Sequence, residues 1–274
     1  MTIDVTTGDE PLLQESVRST RDALPVRIRS PVDDIVVAFG GWGSMEAGEQ
    51  LPEHERTATA ELAARIRGLP TDALHRLRVA AFQGSLRDPE GVGVVRGFDF
   101  IRANFHPLGR LILYGYSAGG FDAMRLASHI WLARRFYEAT TNVFVRDLPP
   151  PTARAPGLVF GYTRVDLLVT VDAAVGPISG MTQRRIWPCV RRNVNYYQTH
   201  PASSVGSHGG PNTPMDQRAT AVDNRNWTAR YNNQPDQAHG AIDNDTMDAV
   251  VTLIRGLIGT PEIPTLLPRG TAAG

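Results

Sequence analysis

The chain has 274 residues, enough to bury a sizeable core in one large α/β domain or two small ones. Its 28 basic residues balance 28 acidic ones, so no pervasive field calls for nucleic acid or an anionic membrane. Every basic residue is arginine, which excludes Schiff-base, P-loop and kinase-type lysine chemistry, and the single cysteine, Cys189, excludes an intramolecular disulfide or a Cys₄ metal site.

Residues 1–30 show no sustained periodicity and read as an N-terminal arm. They lack a basic start and an apolar h-region, so no secretory leader is expected, and no apolar run is long enough to span a membrane. The simplest address is cytoplasmic. "DDIVVAFGG" is then a compact apolar run ending in glycines, the pattern of a buried parallel strand. In "EHERTATAELAARIRGL", Leu62, Ile66 and Leu69 share a helical face. "HRLRVAAF" predicts a second strand, and residues 91–105 a second helix. "RLILYGYS" predicts a third strand, with a helix from about Ala118 to Tyr137. After the proline-rich "VRDLPPPTARAPG", "RVDLLVTVDAA" reads as a fourth strand and "VRRNVNYYQTH" as a fifth, edge-like one. Residues 199–238 are rich in Gly, Pro, Asn, Asp and Gln and predict a long loop without regular structure. An amphipathic helix from about Asn244 to Leu257 closes the domain, with Asp243 and Asp245 as its cap and first-turn acids. Residues 261–274, with three prolines, read as a tail. Strands and helices alternate throughout residues 31–260. The expected fold is therefore a doubly wound, mainly parallel sheet of about five core strands with helices on both faces.

The segment "LILYGYSAGGFDAM" carries the chemistry. A serine hydroxyl is a poor nucleophile and must reach a base and a substrate carbonyl together. A sharp strand-to-helix turn lifts Ser117 clear of the sheet, and Gly115 and Gly119 leave room where side chains would clash. The Ala118 N–H, at the helix start, points to where an oxyanion would form. An ordinary glycine-containing loop is the plain alternative. In this strand–turn–helix setting the chain resembles the α/β-hydrolase superfamily, over about residues 32–258. The resemblance implies a chain order of nucleophile, acid, histidine. Asp172 ends the fourth strand on the serine's edge of the sheet and is the candidate acid; Asp166 begins that strand, at the other edge. His239 precedes the closing helix and is the candidate base, with His200 and His208 as competitors. The second oxyanion donor would be the N–H of Trp42 in "FGGWGS", with Gly41 and Gly43 letting that loop approach. The family's usual His-Gly start is here Gly40-Gly41. "NVNYYQ" and the following polar loop are loosely similar to bacterial lipase-like and phospholipase-like members.

The implied activity is hydrolysis of a carboxylic ester, needing no cofactor or metal, on a small-molecule ester or lipid. A thioesterase, amidase or phospholipase of the same fold remains open. So do a catalytically silent interaction protein and a nucleotide-binding module using "FGGWGS". "RRIWPCVRR" reads as a solvated arginine rim or as an anion-binding one. Trp227 and Tyr231 could cover an acyl chain or pin the long loop to the body.

Overall fold

A computed structural model describes residues 32–42, 48–51, 57–71, 75–84, 91–106, 108–144, 164–174, 184–200 and 208–258. The expected N-terminal arm and C-terminal tail lie outside them, as does Gly43.

The element order is β1 (Val32–Trp42), α1 (Ala58–Arg67), β2 (His75–Gly84), α2 (Val92–Asn104), β3 (Leu111–Tyr116), α3 (Ala118–Phe144) and β4 (Leu167–Val171). Then come β5 (Arg185–Ile186), β6 (Arg192–Tyr197), β7 (Thr213–Pro214), β8 (Ala221–Asn226) and α4 (Ala238–Arg255). Six strands form one sheet in the order β2-β1-β3-β4-β6-β8, and every neighbouring pair is parallel. Parallel strands need crossovers, and crossovers put helices on the faces, so the central strands are buried on both sides and read as near-continuous apolar runs.

Alternate residues along each strand feed two separate cores. Val36, Ala38, Ile112 and Val169 point to one face, where they meet Leu62 and Ile66 of α1 and Val250 and Ile254 of α4. Val37, Phe39, Leu113 and Leu168 point to the other, against Ile101 of α2 and Leu126 and Ile130 of α3. Each fully buried aliphatic side chain contributes roughly 1.5–3 kcal/mol relative to exposure. β1 therefore leads into a helix on one face and β3 into a helix on the other, although the two strands are neighbours. A crevice opens at such a switch point, beyond the C-terminal ends of the strands.

Two sequence expectations need correction. The sheet is the doubly wound parallel one expected, but β8 lies inside the stretch expected to be irregular and adds a sixth strand, so β6 is flanked on both sides and is not the edge. The described part of that stretch also contains β7 and two 3₁₀ turns, Thr228–Tyr231 and Pro235–Gln237. Its polar composition serves a buried network. Asn212 donates to Thr170 Oγ1 at 2.9 Å and to Asn193 Oδ1 at 3.0 Å, and Asn195 donates to Gly210 O at 2.9 Å and Asn224 Oδ1 at 2.8 Å. These bonds tie residues 210–224 to β4 and β6, and leave Asn212 Oδ1 buried without a partner among the described residues. Trp227 and Tyr231 belong to the body: Trp227 packs edge-on against Tyr196, and the Tyr231 hydroxyl donates to Asp245 at 3.0 Å.

The second correction is the closing helix, which begins at Ala238 rather than near Asn244, so His239 lies in its first turn. Asp243 is consequently not a cap. It is buried in the helix interior, and Asp245 pairs with Arg230 at 3.1 Å. Cys189 is buried, its thiol 3.2 Å from Ala127 O. Of the arginines in "RRIWPCVRR", Arg185, Arg191 and Arg192 are exposed. Arg184 is half-buried, its guanidinium 5.6 Å from the Phe121 ring centroid, and burial lowers its pKa. No described helix is long and apolar enough to cross a membrane.

Candidate active site

Ser117 occupies the turn between β3 and α3 with φ of 53°, in the left-handed region. Non-glycine residues pay for that region, so something must hold it there. Its N–H donates to Val171 O at 3.0 Å, and its carbonyl accepts from Gly120 N at 3.0 Å and Ala174 N at 3.3 Å. The glycines around it are demanded by backbone proximity. A Cβ on Gly115 would sit 2.2 Å from Gly119 O, and a Cβ on Gly119 would sit 2.4 Å from the carbonyl oxygens of both Phe39 and Gly40. α3 therefore starts in van der Waals contact with the end of β1, which no side chain at these positions would permit.

Asp172 follows β4 and is the other described non-glycine residue with positive φ, at 41°. Its side chain is fully buried and receives four donors. Oδ2 lies 2.7 Å from His239 Nδ1 and accepts from Gln198 Nε2 at 2.7 Å; Oδ1 accepts from Gly209 N at 2.8 Å and Gln198 N at 3.3 Å. Such a shell suits an acceptor-only carboxylate. The acceptor at Nδ1 puts the imidazole proton there, leaving Nε2 to accept from the Ser117 hydroxyl at 2.9 Å. Thus Ser117, His239 and Asp172 form one hydrogen-bonded chain across segments 67 and 122 residues apart. Ser117 and His239 keep 5% and 8% of their surface exposed.

The competing residues lie elsewhere. Asp166 sits at the start of β4, where it accepts from Arg110, Arg164 and the Leu111 N–H. His200 contacts Thr228 O at 3.0 Å, and His208 contacts Gly209 O at 2.6 Å.

On the β1 side, Gly41 passes directly over the turn. A Cβ there would come within 3.2 Å of Ser117 Cβ and 3.1 Å of the Tyr116 ring. The Gln83 amide donates to Gly41 O and, at 3.0 Å, to Gly84 O, fixing the backbone that leads into Trp42. Ala118 is the first residue of α3, so its N–H has no partner within the helix.

Sequence reasoning missed the residues that brace this chain. Gln198 follows β6, whose Tyr196 pairs with Val171, so aligning the strand ends would have placed it beside Asp172. The Tyr116 ring stacks on the His239 ring with centroids 5.4 Å apart, and its hydroxyl donates to His239 O at 2.6 Å. One turn after His239, Asp243 accepts from the Tyr114 hydroxyl. Burial pushes the Asp243 carboxyl up to about 6, opposed by the Tyr114 bond, and burial also raises the Tyr114 phenol.

That raised carboxyl has a consequence for stability. The folded state holds the Asp243 proton more tightly than the unfolded state does. The resulting stabilisation is full below the ordinary carboxyl pKa of 3.8 and is lost as pH rises through about 6. Above that, ionised Asp243 costs the fold up to about 3 kcal/mol. Asparagine accepts the same phenol bond and does not titrate. Asp243→Asn is expected to be more stable than the native chain at pH 8 by about 1–3 kcal/mol, with most of the gain gone at pH 4. Urea unfolding at the two pH values measures this; an equal difference at both would contradict it.

No protein-family model matches the chain, and no curated protein matches it. Solved structures similar to it include a novel cutinase-like protein from Cryptococcus sp., at 11% identity over 82% of this chain and 96% of that one, with a TM-score of 0.35. The Tle1 effector bound to the VgrG spike from the Type 6 secretion system is 10% identical over 66% of this chain and 52% of its own, with a TM-score of 0.30. An uncharacterized protein from Pseudomonas aeruginosa is 11% identical over 80% of this chain and 44% of its own, with a TM-score of 0.32. Likenesses of this size carry no argument about function, which rests on the geometry of Ser117, His239 and Asp172.

Proposed function

We propose that the chain is a serine hydrolase that cleaves carboxylic esters by acyl transfer. The supporting observation is the continuous hydrogen-bonded chain Ser117–His239–Asp172 at the switch point of a parallel sheet, with Ser117 and Asp172 both in the left-handed backbone region. In this reading His239 Nε2 takes the Ser117 proton as Oγ attacks the ester carbonyl carbon. The negative charge moves to the carbonyl oxygen, which the N–H groups of Ala118 and Trp42 receive. Collapse breaks the bond to the alcohol oxygen, and His239 returns the proton to it. Water then repeats the sequence on the acyl-serine, releasing the acid and free Ser117. Asp172 holds the imidazole tautomer and stabilises the imidazolium, and Gln198 and Gly209 hold Asp172.

The convergence of the three side chains removes the observation that would favour a silent scaffold. Thioesters, amides and phospholipids would use the same machinery, and the leaving group decides among them. The test is reaction with a plain fluorophosphonate followed by peptide mapping. An adduct on Ser117, together with turnover of activated esters, supports the reading. Labelling of another residue, or none, overturns it.

A further inference from the structure

We infer that the cavity between the Gly40–Gly41 turn and α4 is the subsite for the substrate's leaving group, and that it takes a small group presenting N–H or O–H donors. The inference rests on the hydrolase reading above. The cavity has a volume of about 180 Å³, the share of about six waters in the liquid. Its wall runs along the candidate machinery. Gly41 packs on Ser117, Tyr116 precedes Ser117 and stacks on His239, and Gly240 directly follows His239. His239 must return its proton to the leaving oxygen, so the leaving group lies on the side of the base, where Gly240 borders this cavity.

The lining chemistry selects the group. Asp243, Gln83 and Thr59 line the cavity, and none of its described lining residues is an arginine. Gln83 directs its amide nitrogen to the carbonyls of Gly41 and Gly84, which makes its side-chain oxygen the remaining acceptor. Asp243 uses one oxygen on the Tyr114 hydroxyl. An asparagine would accept that bond without the cost of burying a charge. What the carboxylate adds is a second, stronger acceptor at the cavity wall. Thr57 and Asn244 add hydroxyl and amide groups that can donate as well as accept, but a wall holding a carboxylate and no described cation disfavours carboxylate and phosphate groups. A purely alkyl group would strip these acceptors of water and offer them nothing. A hydroxyl or a protonated amine satisfies them.

Two isosteric pairs test this. Hydrolysis of 2-hydroxyethyl butyrate is compared with propyl butyrate, and 2-(dimethylamino)ethyl butyrate with 3-methylbutyl butyrate, at pH 7.5. The expected result is a kcat/KM at least about tenfold higher for the donor-bearing member of one or both pairs. A preference confined to the first pair identifies a polyol-type alcohol, and one confined to the second an amino alcohol. In Asp243→Asn the preference should shrink several-fold, and for the ammonium pair most. Equal rates or a preference for the alkyl members in the native chain overturns the inference without any variant. An undiminished preference in Asp243→Asn also overturns it. Plain fluorophosphonate labelling of native Ser117 separates the two levels. Labelling without donor preference sinks this subsite alone, whereas no labelling removes the hydrolase reading and this one with it.

Discussion

Replacing Ser117 with alanine is expected to abolish ester turnover, by about 10⁴-fold or more, while leaving the fold intact. Among the described residues the hydroxyl bonds His239 Nε2 alone, and the backbone contacts that set the turn are made by the N–H and carbonyl, which alanine keeps. His239→Ala should lose a comparable factor, because the serine hydroxyl then has no base. Asp172→Asn should lose less, since the asparagine can leave the ring with the wrong tautomer but cannot remove the nucleophile. The diagnostic is the double variant. Ser117→Ala with His239→Ala should be scarcely worse than either alone, as expected of groups that act as a unit. Multiplicative losses, or substantial turnover in Ser117→Ala measured with unchanged circular dichroism, would show that the chemistry runs elsewhere.

Gly119→Ala is expected to destabilise the chain by at least about 3 kcal/mol, a fall in melting temperature of roughly 10 °C for a domain of this size. The added methyl would meet two carbonyl oxygens of β1 at 2.4 Å, and neither backbone atom can move without displacing a strand that is paired on both sides. The same substitution at Gly240 meets nothing within 4 Å, on an exposed position of α4, and should stabilise by about 0.5–1 kcal/mol. Differential scanning calorimetry of the pair distinguishes a crowded turn from a general intolerance of alanine. Equal effects at the two glycines would mean that α3 does not start as close to β1 as described.

The residues themselves explain which parts of this arrangement were legible. β1, β3 and β4 are buried on both faces, so they could be found as apolar runs. Ser117 announced itself by glycines that the close approach of α3 requires. β8 was hidden because "AVDNRN" is an edge strand with no fully buried residue, and its pattern is that of a polar loop. The start of α4 was hidden because Gln237 makes no side-chain cap bond and Gly240 breaks the propensity of the first turn. That concealment turned Asp243 from a buried acid into an apparent cap. Gly209 and Tyr116 act through contacts that only the folded sheet creates, and neither spacing nor composition marks them, whereas Gln198 becomes visible only once the ends of β4 and β6 are aligned.

The sheet order also governs when the hydrogen-bonded chain can exist. Every pairing in the sheet is parallel, so each requires a crossover to close, and β8 is joined to the rest of the sheet only through β6. Parallel sheets of this kind carry high contact order and assemble slowly. Ser117 comes from the middle of the chain and His239 from the last described helix, 122 residues away. Refolding should therefore restore far-ultraviolet ellipticity before it restores Ser117 reactivity, and during synthesis the serine should stay inert until α4 has left the ribosome.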